Sequence, residues 1–220
     1  DESDAFMKEL IAEHVSGQLK VAPEHASNRV LDYMGKPHIE VYEQFEKKFY
    51  EITKGMAKEQ YLVPYLMSSH PGCTLNDAVD LAVFLKKHNI RPEQVQDFYP
   101  TPGTISTTMF WTGLDPYTLE PIFVPRTPEE KKLQRVLLQY FKKENRDLVE
   151  KALTIAKRRD LIGTGANCLI PPADSSRRPS PRKHETQQGK TIRNRRPSAK
   201  ANRTGTGTRK KQKPNPRKKG

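Results

Sequence analysis

Apolar residues recur at Phe6, Leu10, Ile11 and Val15, with polar residues between them. That spacing predicts a first helix, entered at Ser3 and stopped at Gly17. Gln18-Leu-Lys-Val-Ala22 then reads as a short strand, with Pro23-Glu-His-Ala-Ser27 as the loop at its C-terminal end. Asn28 is placed to cap a short helix through Met34, and Gly35-Lys-Pro37 breaks it. From about Ile39 to Met56 the residues Val41, Phe45, Phe49, Ile52 and Met56 mark one face of a longer helix. The pattern changes at Tyr61-Leu-Val-Pro-Tyr-Leu-Met67, an apolar run of strand length that ends in Ser68-Ser-His-Pro-Gly-Cys-Thr74. Helical spacing returns at Leu75, Ala78, Val79, Ala82, Val83 and Leu85. A further strand follows at Gln94–Tyr99, closed by Pro100-Thr-Pro-Gly-Thr104. The stretch from Tyr61 to Thr104 is thus one βαβ unit with parallel strands.

Through Thr104 the order is α-β-α-α-β-α-β, which predicts a parallel sheet or barrel. Three strands leave sheet edges open on both sides, so the fold is expected to be part of a larger α/β structure and to be poorly stable alone. The start at Asp1, directly in a helical pattern, points to a processed or truncated chain. Beyond Thr104, Ile105–Gly113 reads as an extended segment or short helix, and Leu114–Pro125 has hairpin character. Thr127-Pro-Glu-Glu130 opens a helix with Leu133, Val136, Leu137, Tyr140 and Phe141 as its apolar face. Another helix is expected from about Arg146 to Lys157, with Asp160–Gly163 closing the body.

Charge divides the chain more sharply than hydropathy does. The net charge is +13, yet residues 171–220 hold 17 Lys and Arg against 2 Asp and Glu, while residues 1–170 carry a net −2. A near-neutral body, able to bury a core, is therefore joined to a basic segment (166–220) expected to be disordered. Such a segment attracts RNA or another polyanion nonspecifically by counterion release. It holds no Phe, Tyr or Trp, so base stacking is not expected. Two cysteines, Cys73 and Cys168, far apart and with no metal-ligand spacing, argue against a disulfide framework and favour a cytoplasmic protein. No apolar run is long enough to predict a membrane span.

The candidate chemistry lies at the strand ends, because ligands of α/β sheets and barrels sit at the C-terminal edge. His25 and His70 follow adjacent strands and can handle protons near neutrality, although a lone loop histidine is more often simply hydrogen-bonded. Glu24 offers a carboxylate at the same edge, against the plainer reading of a solvated loop residue. Ser27 reads first as a cap residue. Cys73 reads as a small buried residue, with a hydrogen-donor or thiol role as the sharper alternative. Pro71-Gly72 and Pro102-Gly103 are turn chemistry, and Gly also lets a ligand approach the backbone closely.

Three of these loops resemble radical S-adenosylmethionine (SAM) enzymes. Val21–Pro37 resembles their fourth-strand loop and helix: aligned on Asn28, Leu31 and Met34, Glu24 falls on a Gln and Ser27 on a Ser of the methylthiotransferase pattern Gln-Ser-Gly-Ser-Asp. His70-Pro-Gly-Cys-Thr74 resembles the fifth-strand Pro-Gly-Glu-Thr, and Phe98–Thr104 the sixth-strand Ser-Pro-x-Pro-Gly-Thr. Over roughly residues 1–165 the chain is most similar to the YgiQ-type radical SAM proteins, including Thr-Gly-Leu-Asp-Pro-Tyr at Thr112–Tyr117 in their C-terminal extension. The resemblance implies the last three βα units of a partial (βα)6 TIM-type barrel over 1–104, a family-specific α-rich extension over 105–165, and the basic tail. It implies a radical SAM enzyme of unknown substrate in the intact protein, using SAM and a [4Fe–4S] cluster. Glu24, Ser27, Pro71, Gly72, Tyr99 and Pro100 would contact the cofactor, Tyr99 by stacking beside adenine, and His25, His70 and Cys73 are candidates at the substrate site. The cluster motif Cys-x3-Cys-x2-Cys is absent from this sequence, and by this alignment Cys73 stands where related enzymes have Glu. The fragment alone is therefore expected to be inactive. A nucleic-acid- or ribosome-associated protein working through its tail is the alternative reading.

Overall fold

A computed structural model describes residues 2–173; the predicted disordered tail beyond them lies outside the described residues. The chain is α/β, with a three-stranded parallel sheet in the order β1-β2-β3. Helix α1 (Glu2–Glu9) runs into a π turn (Leu10–His14), then β1 (Gln18–Glu24), α2 (Asn28–Met34) and α3 (Ile39–Gly55). Strand β2 (Tyr61–Ser68), α4 (Leu75–Lys87), β3 (Gln96–Asp97) and α5 (Ile105–Thr112) follow. Helices α6 (Pro128–Leu138) and α7 (Arg146–Ile155) complete the body. The strand–helix alternation read from hydrophobic spacing is the observed order.

The differences have local causes. Strand β3 pairs only Gln96 and Asp97 with Met67 and Ser68. One more bond, from Phe98 N to Ser68 O (2.8 Å), extends the contact, and Pro100 has no N–H to carry it further. Glu24 belongs to β1 rather than to the following loop. The register with β2 slips between Val21 and Glu24, so Glu24 pairs opposite Leu66 across an irregularity. Ser27, not Asn28, is the N-cap of α2, and its carbonyl accepts from the amides of Val30 and Leu31. Asn28 instead serves the next helix, its Oδ1 accepting from Ile39 N (2.9 Å). On α1 the buried residue is Met7 while Phe6 is exposed; on α3 Tyr42 is buried while Val41 is exposed.

Two apolar clusters hold the body. The larger packs α4, α6 and α7 around Val79, Leu81, Leu85, Leu137, Leu138 and Leu153 and takes in Leu66 of β2. The smaller joins Met7, Ile11, Phe49 and Leu62. Burial of this kind is worth roughly 1.5–3 kcal/mol per large side chain. Packing continues past residue 165, where composition turns polar: Leu169 and Ile170 are buried, and Ile162 bridges Ile170. The larger cluster places the extension directly behind the C-terminal end of β2.

Candidate functional site

The strand ends border an open cleft of about 460 Å³. Glu24 enters from β1, Met67 and His70 from β2, and Gln96, Phe98 and Tyr99 from β3. Met34 and Lys36 close it from the α2 side, and Thr101, Thr104 and Ser106 from the start of α5. Glu24 reaches this place through the slip in β1. Its φ is +66, a left-handed value that costs a non-glycine residue about 1 kcal/mol or more. Its carboxylate lies 3.6 Å from Lys36 Nζ, which also donates to Ala22 O (3.1 Å). An acid and a base thus stand side by side at one end of a cavity with aromatic and thioether walls.

His70 has a fixed proton arrangement. A carbonyl can only accept, so the 2.7 Å contact between Nδ1 and Pro71 O places the proton on Nδ1. Nε2 then accepts from Ser106 Oγ (2.8 Å). The ring stands edge-on to Phe98, with centroids 5.1 Å apart. Burial lowers its pKa to about 4, against the bond to Pro71 O. His70 is therefore neutral at physiological pH.

A second group sits behind the pocket wall. His25 is 1% exposed, and its Nδ1 accepts from Ser27 N (2.9 Å), which leaves the proton on Nε2 facing Cys73 Sγ at 3.5 Å. Burial lowers the His25 pKa to about 4, opposed by Asp77 and reinforced by His70 and Arg29. Burial, together with Asp77, pushes the Cys73 thiol far up, so it stays protonated. Asp77 is the hub. It accepts from Ser27 Oγ (2.7 Å), Thr74 N (2.8 Å), Thr74 Oγ (2.5 Å) and Arg29. Burial pushes its carboxyl up, but the bonds from Thr74 and Ser27 and the Arg29 charge outweigh that and hold it below the usual range.

The structure thus divides the sequence candidates. Glu24, His70 and Tyr99 line the pocket, with Tyr99 widely exposed. His25, Ser27 and Cys73 do not: the Ser27 hydroxyl is spent on Asp77, and His25 and Cys73 face each other in the interior. Pro71 is buried, and its carbonyl serves His70. Gly72, at φ +88, is approached by a side chain rather than a ligand, since an added Cβ would lie 2.3 Å from Tyr33 Cδ2. Its amide donates to Phe123 O (2.7 Å). Pro100 is half-buried beside the pocket, whose lining passes from Tyr99 to Thr101. Sequence reasoning missed Lys36, Phe98 and Ser106. Of these, Ser106 had one usable signal, its place at the start of a helix entered from a strand-end loop.

Among the described residues no group of three or more His, Cys, Asp or Glu side chains could hold a metal ion. Nor is any described helix long and apolar enough to cross a membrane. The described residues form a parallel α/β body with a cavity at the C-terminal strand edge, the place where ligands of such sheets sit. Residues 93–220 match the family described as "Domain of unknown function (DUF3362)", and the chain belongs to that family. It is 59% identical over 170 residues to a UPF0313 protein of Clostridium perfringens (strain 13 / Type A), covering 77% of this chain and 26% of the relative. A UPF0313 protein of Clostridium botulinum (strain Okra / Type B1) is 57% identical over 171 residues, covering 78% of this chain and 27% of the relative. The chain spans about a quarter of the length of the curated relatives it matches. No solved structure matches it.

Proposed function

We propose that this chain is the SAM-contacting and substrate-facing part of a radical SAM iron–sulfur enzyme of the YgiQ type. The observation that carries the reading is the pocket itself. Loops whose sequences resemble the fourth-, fifth- and sixth-strand loops of that class meet around one cavity, at the C-terminal edge of parallel strands.

The lining fits SAM. The Glu24 carboxylate suits an ammonium or ribose hydroxyls, Lys36 a carboxylate, and Phe98 and Tyr99 a purine face. Met34 and Met67 supply adaptable apolar contact. The chain does not fit a [4Fe–4S] cluster: it has two cysteines, one of them a buried protonated thiol, where such a cluster needs several thiolates. The cluster belongs on another part of the whole protein. The chemistry SAM supplies in such enzymes is hydrogen-atom abstraction. The part of this chain's residues is to orient the bound molecule, exclude water and present the neutral His70–Ser106 pair to the substrate.

The test uses the full-length protein, reconstituted with iron and sulfide without oxygen and given SAM and a strong reductant. The expected product is 5′-deoxyadenosine, detected by mass spectrometry. Glu24→Ala should reduce it at least tenfold while the cluster absorbance stays. An intact cluster that yields no 5′-deoxyadenosine sinks the reading.

A further inference from the structure

The loop that carries His70 is unusual in being buried along its whole length. Ser68, Ser69, His70, Pro71, Gly72 and Cys73 are all buried, yet none of Ser69–Cys73 lies in a helix or strand. Buried backbone groups outside regular structure need other partners. Ser69, at φ +63, donates its amide to Gln134 Oε1 (3.1 Å). The carbonyl of Cys73 accepts from Nε2 of the same Gln134 (2.8 Å). One side-chain amide therefore spans the loop, acceptor toward one end and donor toward the other. Gln134 is 1% exposed in the middle of α6, where an apolar residue would pack at less cost unless these two bonds were needed. Between them, Gly72 N is held by Phe123 O, and the His70 ring is held by Ser106 Oγ.

Phe123, Gln134 and Ser106 all lie within residues 93–220, the region matched as a domain of unknown function. We propose that the described part of this region, residues 93–173, works as the clamp of the pocket: Gln134 is a positioning residue that fixes the His70 loop, and Ser106 fixes the ring. A consequence for the ligand follows, and it rests on the pocket being the ligand site. With Nδ1–H committed to Pro71 O, His70 serves a ligand only as an acceptor at Nε2. The ligand group that replaces Ser106 there is a donor, a hydroxyl or an ammonium, and not a carboxylate or phosphate oxygen.

The experiment reads the His70 ring by long-range ¹H–¹⁵N correlation in the full 220-residue chain, with His70→Gln to assign its signal. The wild type should show a protonated Nδ1 and a bare, hydrogen-bonded Nε2, with a titration midpoint near 4. Gln134→Met keeps the volume and removes both bonds. It should give averaged ring nitrogens and a midpoint moved at least one pH unit toward 6.5. A folded Gln134→Met with a wild-type His70 signal overturns the clamp. Should that variant not fold, Ser106→Ala decides: Nε2 should move downfield toward an unbonded pyridine-type nitrogen, and an unmoved resonance overturns the proposal. The readout needs no ligand. If SAM then fails to bind a protein whose His70 behaves as expected, the cofactor reading falls and the clamp stands.

Discussion

His25 and His70 are both neutral in the folded protein, and that has a cost in acid. Each has its pKa lowered from 6.5 to about 4, chiefly by burial. As pH falls through 6.5 the unfolded chain takes up these protons while the folded one does not. The stability they permit is complete above about pH 6.5 and is lost progressively down to about pH 4. The slope is up to about 1.4 kcal/mol per pH unit for each histidine. Thermal melts from pH 7 to 4 should show the midpoint falling through this window, and His25→Gln with His70→Gln should flatten it. A wild-type curve as flat as the double variant's would contradict the assignment. Asp77 leaves the upper part of this window clear, because its depressed carboxyl starts to lose its contribution only below about pH 5, where the unfolded carboxyl begins to take up a proton. The two histidines were legible as strand-end residues, but their different fates were not. His70 lines the pocket, whereas His25 faces Cys73 in the interior beside Ser27, whose hydroxyl donates to an Asp77 some fifty residues away in sequence.

Two helices enter through the same kind of cap, and comparing them shows what a local pattern conveys. Thr127 and Glu130 form a capping box on α6, and Thr74 and Asp77 form one on α4. Thr127-Pro-Glu-Glu130 can be read directly, because every partner lies within four residues. The α4 box has the same shape, but its acid also accepts from Ser27 and Arg29, and nothing in the local sequence announces that. Removing Asp77 therefore orphans donors that Glu130 does not serve. Asp77→Ala should cost about 2–3 kcal/mol in urea unfolding and Glu130→Ala about 1 kcal/mol or less. Equal losses would mean that the long-range donors contribute nothing. The shortening of β3 was readable in principle, since Pro100 ends its ladder, whereas the burial of Leu169 and Ile170 was not. Two isolated apolar residues in a polar stretch carry no period, and only the core they complete gives them a place.

At the scale of the molecule the chain joins a near-neutral body to a segment whose charge alone dictates a behaviour. Residues 171–220 carry a net +15 with no aromatic residue, so attraction to a polyanion should be nonspecific in sequence and governed by released counterions. For six to ten phosphate contacts on single-stranded RNA the slope of log K against log salt is about −4 to −7, so affinity should fall roughly 10³-fold between 50 and 200 mM salt. A homopolymeric RNA, titrated by fluorescence anisotropy, should bind the full chain this way. Binding should be the same for oligo-U and oligo-A, and absent from residues 1–173. The pocket supplies an independent control, because Glu24→Ala should leave RNA binding untouched. Retention of RNA by residues 1–173, or a slope near zero, would place the interaction on the body, where Trp111 and Tyr117 are exposed. The predicted outcome assigns the polyanion attraction to the basic segment, which raises the local concentration of any polyanion near it, and not to the body that carries the strand-end pocket.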